Sequence, residues 1–405
     1  MEYHELFNVL KNSINYTDNY REPLNNLSVH TYTFTSNNKN IIPGEDEYTC
    51  KEHNFTQKAP AAYIWTDKDS ILDVVDSHVK ENAQFRFHIF KPKDGQRSKQ
   101  VILLLHGFNE KNWLKYFPWA YQLMIETGKT IVLFPMTFHM NRALPEWSNP
   151  RLMTELYNEH KKNYPDIIGS SFVNIAVSTR LKVKPQRFIW SGILTYHDVM
   201  QLVEEIKSDK YDCISPDASF DFFAYSIGGL LAQTLMLTNQ HNYFGNSKMA
   251  LFCSGSVFSR LTPVCKVIMD SETEHTLYRY LISYIDVHRE QDKWLGHFLS
   301  EHHLEGYTFL SLLNYNKLIE YREDLLRNAQ DRIYAIALDK DYVIPYYEVI
   351  NTLQGRKRDI PIKVDVDDFP YKYKHEDPFP MRESIRDEVN QHFISTFKKF
   401  GAFLQ

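Results

Sequence analysis

Ser226 stands in the run Ala224-Tyr225-Ser226-Ile227-Gly228-Gly229. Before it comes Phe220-Asp-Phe-Phe-Ala224, which reads as a buried strand. After it comes Leu230-Leu-Ala-Gln-Thr-Leu-Met-Leu237, apolar nearly all round, as expected of a helix packed deep on a sheet. A nucleophilic serine needs this setting. At a sharp strand-to-helix turn the hydroxyl projects above the sheet, and the residues two before and two after must be small for the backbones to pass. Here they are Ala224 and Gly228. The helix N-terminus then offers backbone N–H groups and positive potential to a developing oxyanion.

Three further segments could complete that chemistry. The apolar run Val101-Ile-Leu-Leu-Leu105 ends in His106-Gly107-Phe108-Asn109. The run Ile333–Leu338 leads into Asp339-Lys340-Asp341-Tyr342-Val343-Ile344-Pro345. Beyond the last strand-like run lies His375, the one histidine before the expected final helix, which begins near Met381 and carries His392. A serine, an imidazole to take its proton and a carboxylate to orient that imidazole are the parts of acyl transfer.

On these residues the chain resembles the α/β-hydrolase superfamily, esterase- and lipase-like, and in particular a bacterial branch of it. The resemblance spans roughly residues 85–400. It implies that His-Gly after the strand is structural at His106 and that the next residue, Phe108, donates a backbone N–H to an oxyanion hole shared with Ile227. It also implies that Asp341, preceding x-Val-Ile-Pro, is the acid. Leu338 and Ala224 stand where the superfamily often has glycine, and Asp339 is the rival acid. The expected order is Ser226, Asp341, His375, with Tyr225, Asn109 and Arg142 as substrate-binding candidates. Arg142 follows a strand end and could hold a carboxylate or phosphate. The implied activity is hydrolysis of a carboxylic ester through an acyl-enzyme. An acyltransferase, a peptidase or a non-catalytic binding protein of the same fold are the alternatives.

Other signals are set aside. His297, His302 and His303 cluster, but one helix would place them on different faces, and they lack the H-E-x-x-H spacing of zinc hydrolases. Cys50, Cys213, Cys253 and Cys265 lie far apart without metal spacing. No metal and no cofactor are therefore expected, and Gly228-Gly229 lacks the surroundings of a phosphate loop or dinucleotide fingerprint.

The elements that must position these residues follow from periodicity. Continuous apolar runs at 101–105, 130–134, 220–224, 250–253 and 333–338 suit strands buried on both faces of a parallel sheet. The more charged, alternating 360–366 suits an edge. Val29–Phe34 and Phe85–Phe90 alternate as half-exposed strands. With helical patterns between, this predicts an α/β chain with a mostly parallel central sheet flanked by helices. Residues 1–84 read as an N-terminal extension packing on the core, and 85–258 with 332–405 as the core. Two stretches are too long for loops: an insert at 137–218 and a largely helical one at 259–331, read as a cap. Trp147, Trp190 and Tyr196 belong either to a pocket or to the core of the first insert.

At 405 residues and 43% hydrophobic content the chain can bury a large core. Its net charge of -5 leaves no basic footprint for nucleic acid, so the expected partner is a small-molecule acyl substrate. No run approaches the ~18 apolar residues that span a bilayer. Without a basic-then-apolar leader, the expected location is the cytoplasm.

Overall fold

The computed structural model describes residues 1–45, 47–50, 52–59, 72 and 74–405. Eleven strands are present among them: β1 (Tyr20–Leu24), β2 (Leu27–Thr35), β3 (Glu47–Cys50), β4 (Phe55–Lys58), β5 (Gln84–Pro92), β6 (Ser98–Leu105), β7 (Thr130–Leu133), β8 (Ile214–Tyr225), β9 (Met249–Phe252), β10 (Ile333–Leu338) and β11 (Lys363–Asp367). Nine form one sheet in the order β1-β2-β5-β7-β6-β8-β9-β10-β11, and β3 and β4 form a separate hairpin. The six strands from β7 to β11 in that order are parallel, and β1, β2 and β5 join antiparallel. The alternating 360–366 run is indeed the edge, because β11 has a neighbour on one side only. The N-terminal stretch is woven in: β2 pairs with β5 from Leu27↔Pro92 to Thr35↔Gln84.

The apolar runs are continuous because both sheet faces are covered. Val101, Leu103 and Leu105 of β6 enter one core, and Ile102 and Leu104 the opposite one. The first core is closed by helices Arg187–Lys207 and Gly228–Thr238 together with residues of the 259–331 stretch. The second is closed by helices Tyr3–Ser13, Tyr116–Thr127 and Arg386–Leu404. Each fully buried aliphatic side chain contributes about 1.5–3 kcal/mol relative to exposure, which is what commits these short strands to the interior.

The 259–331 stretch is mainly helical, with helices at Ser271–Tyr278, Ile285–Gln291, Lys293–Phe298, Leu304–Leu313 and Ile319–Asn328. One expectation here is corrected. The three clustered histidines do not share a helix: Lys293–Phe298 stops just after His297, and His303 is the residue before Leu304–Leu313. The turn between them brings His297 and His303 together edge to face, with ring centroids 4.6 Å apart. Trp190 and Tyr196 are core residues of helix Arg187–Lys207. No helix among the described residues is long and apolar enough to cross a membrane.

Candidate active site

β6 and β8 are adjacent and parallel, and the chain leaves β6 toward β7 on one side before returning to β8 on the other. In such sheets the crevice beyond the strand carboxyl ends at the reversal is where ligands bind. His106–Asn109 follows β6 there, and Ser226 follows β8.

Ser226 has a left-handed backbone, φ 55°, a conformation that costs a non-glycine residue energy and persists only where its surroundings enforce it. The enforcement is visible. Its N–H donates to Phe252 O at 3.3 Å, and its carbonyl accepts from Gly229 N at 3.0 Å and from Ser254 Oγ at 2.6 Å. A Cβ on Gly228 would stand 2.6 Å from Leu105 O and 2.7 Å from His106 O, so helix Gly228–Thr238 can start beside β6 only because this residue has none.

Ser226 Oγ lies 2.7 Å from His375 Nε2, and His375 Nδ1 lies 2.7 Å from Asp341 Oδ2. All three side chains are buried. Asp341 Oδ1 accepts from the N–H groups of Val343 at 2.9 Å and Ile344 at 3.0 Å, so the carboxylate is gripped by its own loop while its other oxygen faces the imidazole. Asp339 is exposed, and its N–H continues the sheet ladder to Asp367 O at 2.9 Å. His375 sits on a turn pinched by the Lys374–Asp377 bridge. His392 lies in helix Arg386–Leu404 against the rings of Phe369 and Tyr371.

His106 has both ring nitrogens engaged: Nδ1 with Gly107 O at 2.8 Å, and Nε2 accepting from Met136 N at 2.9 Å. Burial holds its pKa down at about 3, so it is a neutral brace between the β6 and β7 ends. Among the described residues, neither the Phe108 N–H nor the Ile227 N–H has a protein acceptor. Cys253 lies beside Asp341, and burial first, then that carboxylate, raises its thiol pKa well above normal.

The remaining candidates divide. Asn109, at φ 57°, donates from Nδ2 to Val267 O at 2.6 Å and Val173 O at 3.2 Å, tying the two long inserts to the end of β6. Tyr225 stacks on the His375 ring, with centroids 5.4 Å apart and planes 14° apart, and its hydroxyl donates to the His375 carbonyl. Its polar tip thus holds the histidine turn. Arg142 is a correction: it is wholly buried, with its guanidinium on Asp198 Oδ2 at 2.6 Å, Asn82 Oδ1 at 3.1 Å and Pro135 O at 3.1 Å. A cation so enclosed cannot reach a substrate. Position after a strand end was a sound signal for the crevice, but the burial of its partner Asp198 in a distant helix was not legible.

Two cavities meet at Phe108, Asn109 and Glu110. One opens on Ser226 and His375 and is also lined by Tyr225, Val267 and Ile268. The other is mainly apolar, walled by Met136, Phe138, Phe188, Leu230, Leu231 and Phe309, with Ile227 and Trp147 also in its lining. Sequence reasoning placed His139 near the crevice, where it lines the apolar cavity, but missed Lys111, Val267 and Ile268 in these walls. Burial and the neighbouring Arg180 lower the Lys111 pKa to about 8, and burial holds His139 neutral, its pKa at about 3.

No curated protein matches the chain in sequence. Among solved structures it is similar to a carboxyl esterase 2 from the mycorrhizal fungus Tuber melanosporum, at 11% identity and a TM-score of 0.45, covering 80% of this chain and 82% of that one. A thermostable esterase from Pseudomonas putida is similar at 11% identity and a TM-score of 0.41, with 99% and 88% covered. A thermostable carboxyl esterase from Bacillus coagulans is similar at 14% identity and a TM-score of 0.40, with 78% and 94% covered. A family model described as a family of unknown function, DUF6051, matches residues 1–405, and the chain belongs to that family.

Proposed function

We propose that this protein is a serine hydrolase of α/β-hydrolase architecture that cleaves carboxylic esters through an acyl-enzyme on Ser226. The observation that carries the reading is the continuous line Ser226 Oγ, His375, Asp341, with both links at 2.7 Å, anchored on a serine held at positive φ. In that geometry Ser226 Oγ attacks the ester carbonyl carbon as its proton passes to His375 Nε2. Asp341 fixes the imidazole with its proton on Nδ1 and stabilises the imidazolium. The N–H groups of Phe108 and Ile227 receive the carbonyl oxygen as it becomes an oxyanion. His375 then hands its proton to the departing alkoxide, and water repeats the sequence to release the acid.

The 259–331 stretch acts as a cap in this reading. Val267 and Ile268 line the cavity that opens on the serine, and Phe309 walls the apolar cavity, which takes the acyl or alkyl chain. Asn109 latches the two inserts to the β6 end. Esters are the favoured class because the triad chemistry suits them and the walls are apolar.

A fluorophosphonate probe should modify Ser226 and leave Ser254 and Ser256 untouched, as read by peptide mapping. Ser226→Ala should abolish labelling and reduce ester turnover to a residual of about 10³-fold over water, supplied by binding and the oxyanion donors. Labelling elsewhere, or none on folded protein, would overturn the assignment.

A further inference from the structure

Away from Ser226, Cys50, His53, His297 and His303 converge so that one donor atom of each lies within 4.8 Å of all the others. Four of the six pairwise separations are 3.0 Å for His297 Nε2 to His303 Nε2, 3.2 Å for His53 Nδ1 to His303 Nε2, and 3.5 Å from Cys50 Sγ to both His53 Nδ1 and His303 Nε2, and the other two are within 4.8 Å. A tetrahedral zinc, with bonds of about 2.1 Å to nitrogen and 2.3 Å to sulfur, spaces its ligands by ~3.3 Å between nitrogens and ~3.6 Å between sulfur and nitrogen.

Hydrogen bonding alone does not explain this packing. The Nδ1 of His303 is 2.8 Å from Glu305 Oε1, which uses its one N–H if the ring is neutral and leaves Nε2 a single lone pair. Three donor atoms crowd that lone pair. A carboxylate on the far nitrogen is also the arrangement that orients histidines bound to metal. Cys50 and His303 are buried, and His53 and His297 are half-buried.

We propose that Cys50, His53, His297 and His303 form a structural zinc site, closed by four protein ligands, that staples the β3–β4 hairpin to the helical 259–331 stretch. The ligand spacing is Cys-x-x-His on the hairpin and His-x₅-His across the turn between helices Lys293–Phe298 and Leu304–Leu313. Stacked rings back the site: Phe55 on His297 at 4.3 Å, Tyr48 on Trp294 at 5.2 Å and Phe298 on His303 at 4.3 Å. His303 begins the helix that carries Phe309 into the wall of the apolar cavity. The metal therefore fixes that wall relative to the N-terminal hairpin, and takes no part in reaction at Ser226.

The test uses the full chain, purified without chelators and freed of any affinity tag. Metal analysis by mass spectrometry should find about one zinc per chain. Cys50→Ser and His303→Asn should lose most of it, whereas His302→Ala and Ser226→Ala should keep it. Stripped protein given Co²⁺ alone should develop the strong visible absorption of a tetrahedral site and a thiolate-to-cobalt band in the near ultraviolet. The Cys50→Ser variant should lack that band, and the stripped protein should melt at lower temperature than the zinc-loaded form. Wild-type protein that takes up neither Zn²⁺ nor Co²⁺, or a cobalt spectrum without tetrahedral and thiolate character, overturns the proposal. So does undiminished zinc in the Cys50 variant. The wild-type spectrum decides the matter if the variants fail to fold, and fluorophosphonate labelling of Ser226 is read independently.

Discussion

At the scale of single residues, Asp339 and Asp341 are separated by one lysine yet differ in every physical respect. Asp341 is buried, with one oxygen on two backbone N–H groups and the other on His375, whereas Asp339 is exposed and spends only its backbone on the sheet. Replacing Asp341 by Asn should leave the fold intact but favour the wrong imidazole tautomer, lowering kcat by up to about 10⁴-fold. Asp339→Asn should change kcat by less than the scatter of a few-fold expected of a surface substitution. Steady-state kinetics on both variants, with circular dichroism as the folding control, checks this, and an inactive Asp339 variant would redraw the triad. His375→Ala and His392→Ala should divide in the same way, because only His375 reaches the serine.

At the scale of elements, the site depends on how loops are tied to strands. Arg142, in the short helix Met140–Arg142 after β7, and Asp198, in helix Arg187–Lys207, form a fully buried ion pair. Asp198 also accepts from Ser36 Oγ at 2.5 Å and Arg142 donates to Asn82, so the pair joins four distant segments. Removing one partner from such a pair leaves an uncompensated buried charge, a loss of about 3–5 kcal/mol. Arg142→Met should therefore lower the urea midpoint strongly. In the fraction that stays folded, KM for neutral and anionic esters should shift alike, since the guanidinium does not meet substrate. A selective loss of anionic substrates without loss of stability would restore Arg142 to the binding site.

At the scale of the whole molecule, burial disfavours the charged form of several described histidines, and most strongly in three. His88, His106 and His139 each have a folded pKa of about 3, against an ordinary value of 6.5. The unfolded chain binds protons at these sites as the pH falls below 6.5, whereas the folded chain does not until about 3. Stability is thus fully present above 6.5 and is lost across that window, by about 1.4 kcal/mol per pH unit for each such group. The melting temperature should fall steeply from pH 6.5 toward 4. Replacing His88, whose Nδ1 meets Thr31 Oγ1 at 2.9 Å, by Gln should reduce the slope by about one proton. An unchanged slope in a folded variant would show that His88 titrates normally.

The parts of this protein legible in the residues are those governed by local periodicity and local sterics. Continuous apolar runs marked β6 to β10 because a strand covered on both faces has no polar side to show. The serine turn was legible because Ala224 and Gly228 answer a constraint five residues long, the close approach of Gly228 to β6. Tertiary structure alone decided the rest, because it concerns groups far apart in the chain. Asp198 claims Arg142 across 56 positions, and Tyr225 gives its hydroxyl to a histidine turn 150 residues on. The four groups around His303 come from a hairpin and a helix turn some 250 residues apart. Their meeting depends on where a helix ends and how a hairpin docks. Those outcomes come from the packing of the whole core rather than from the pattern of any one segment.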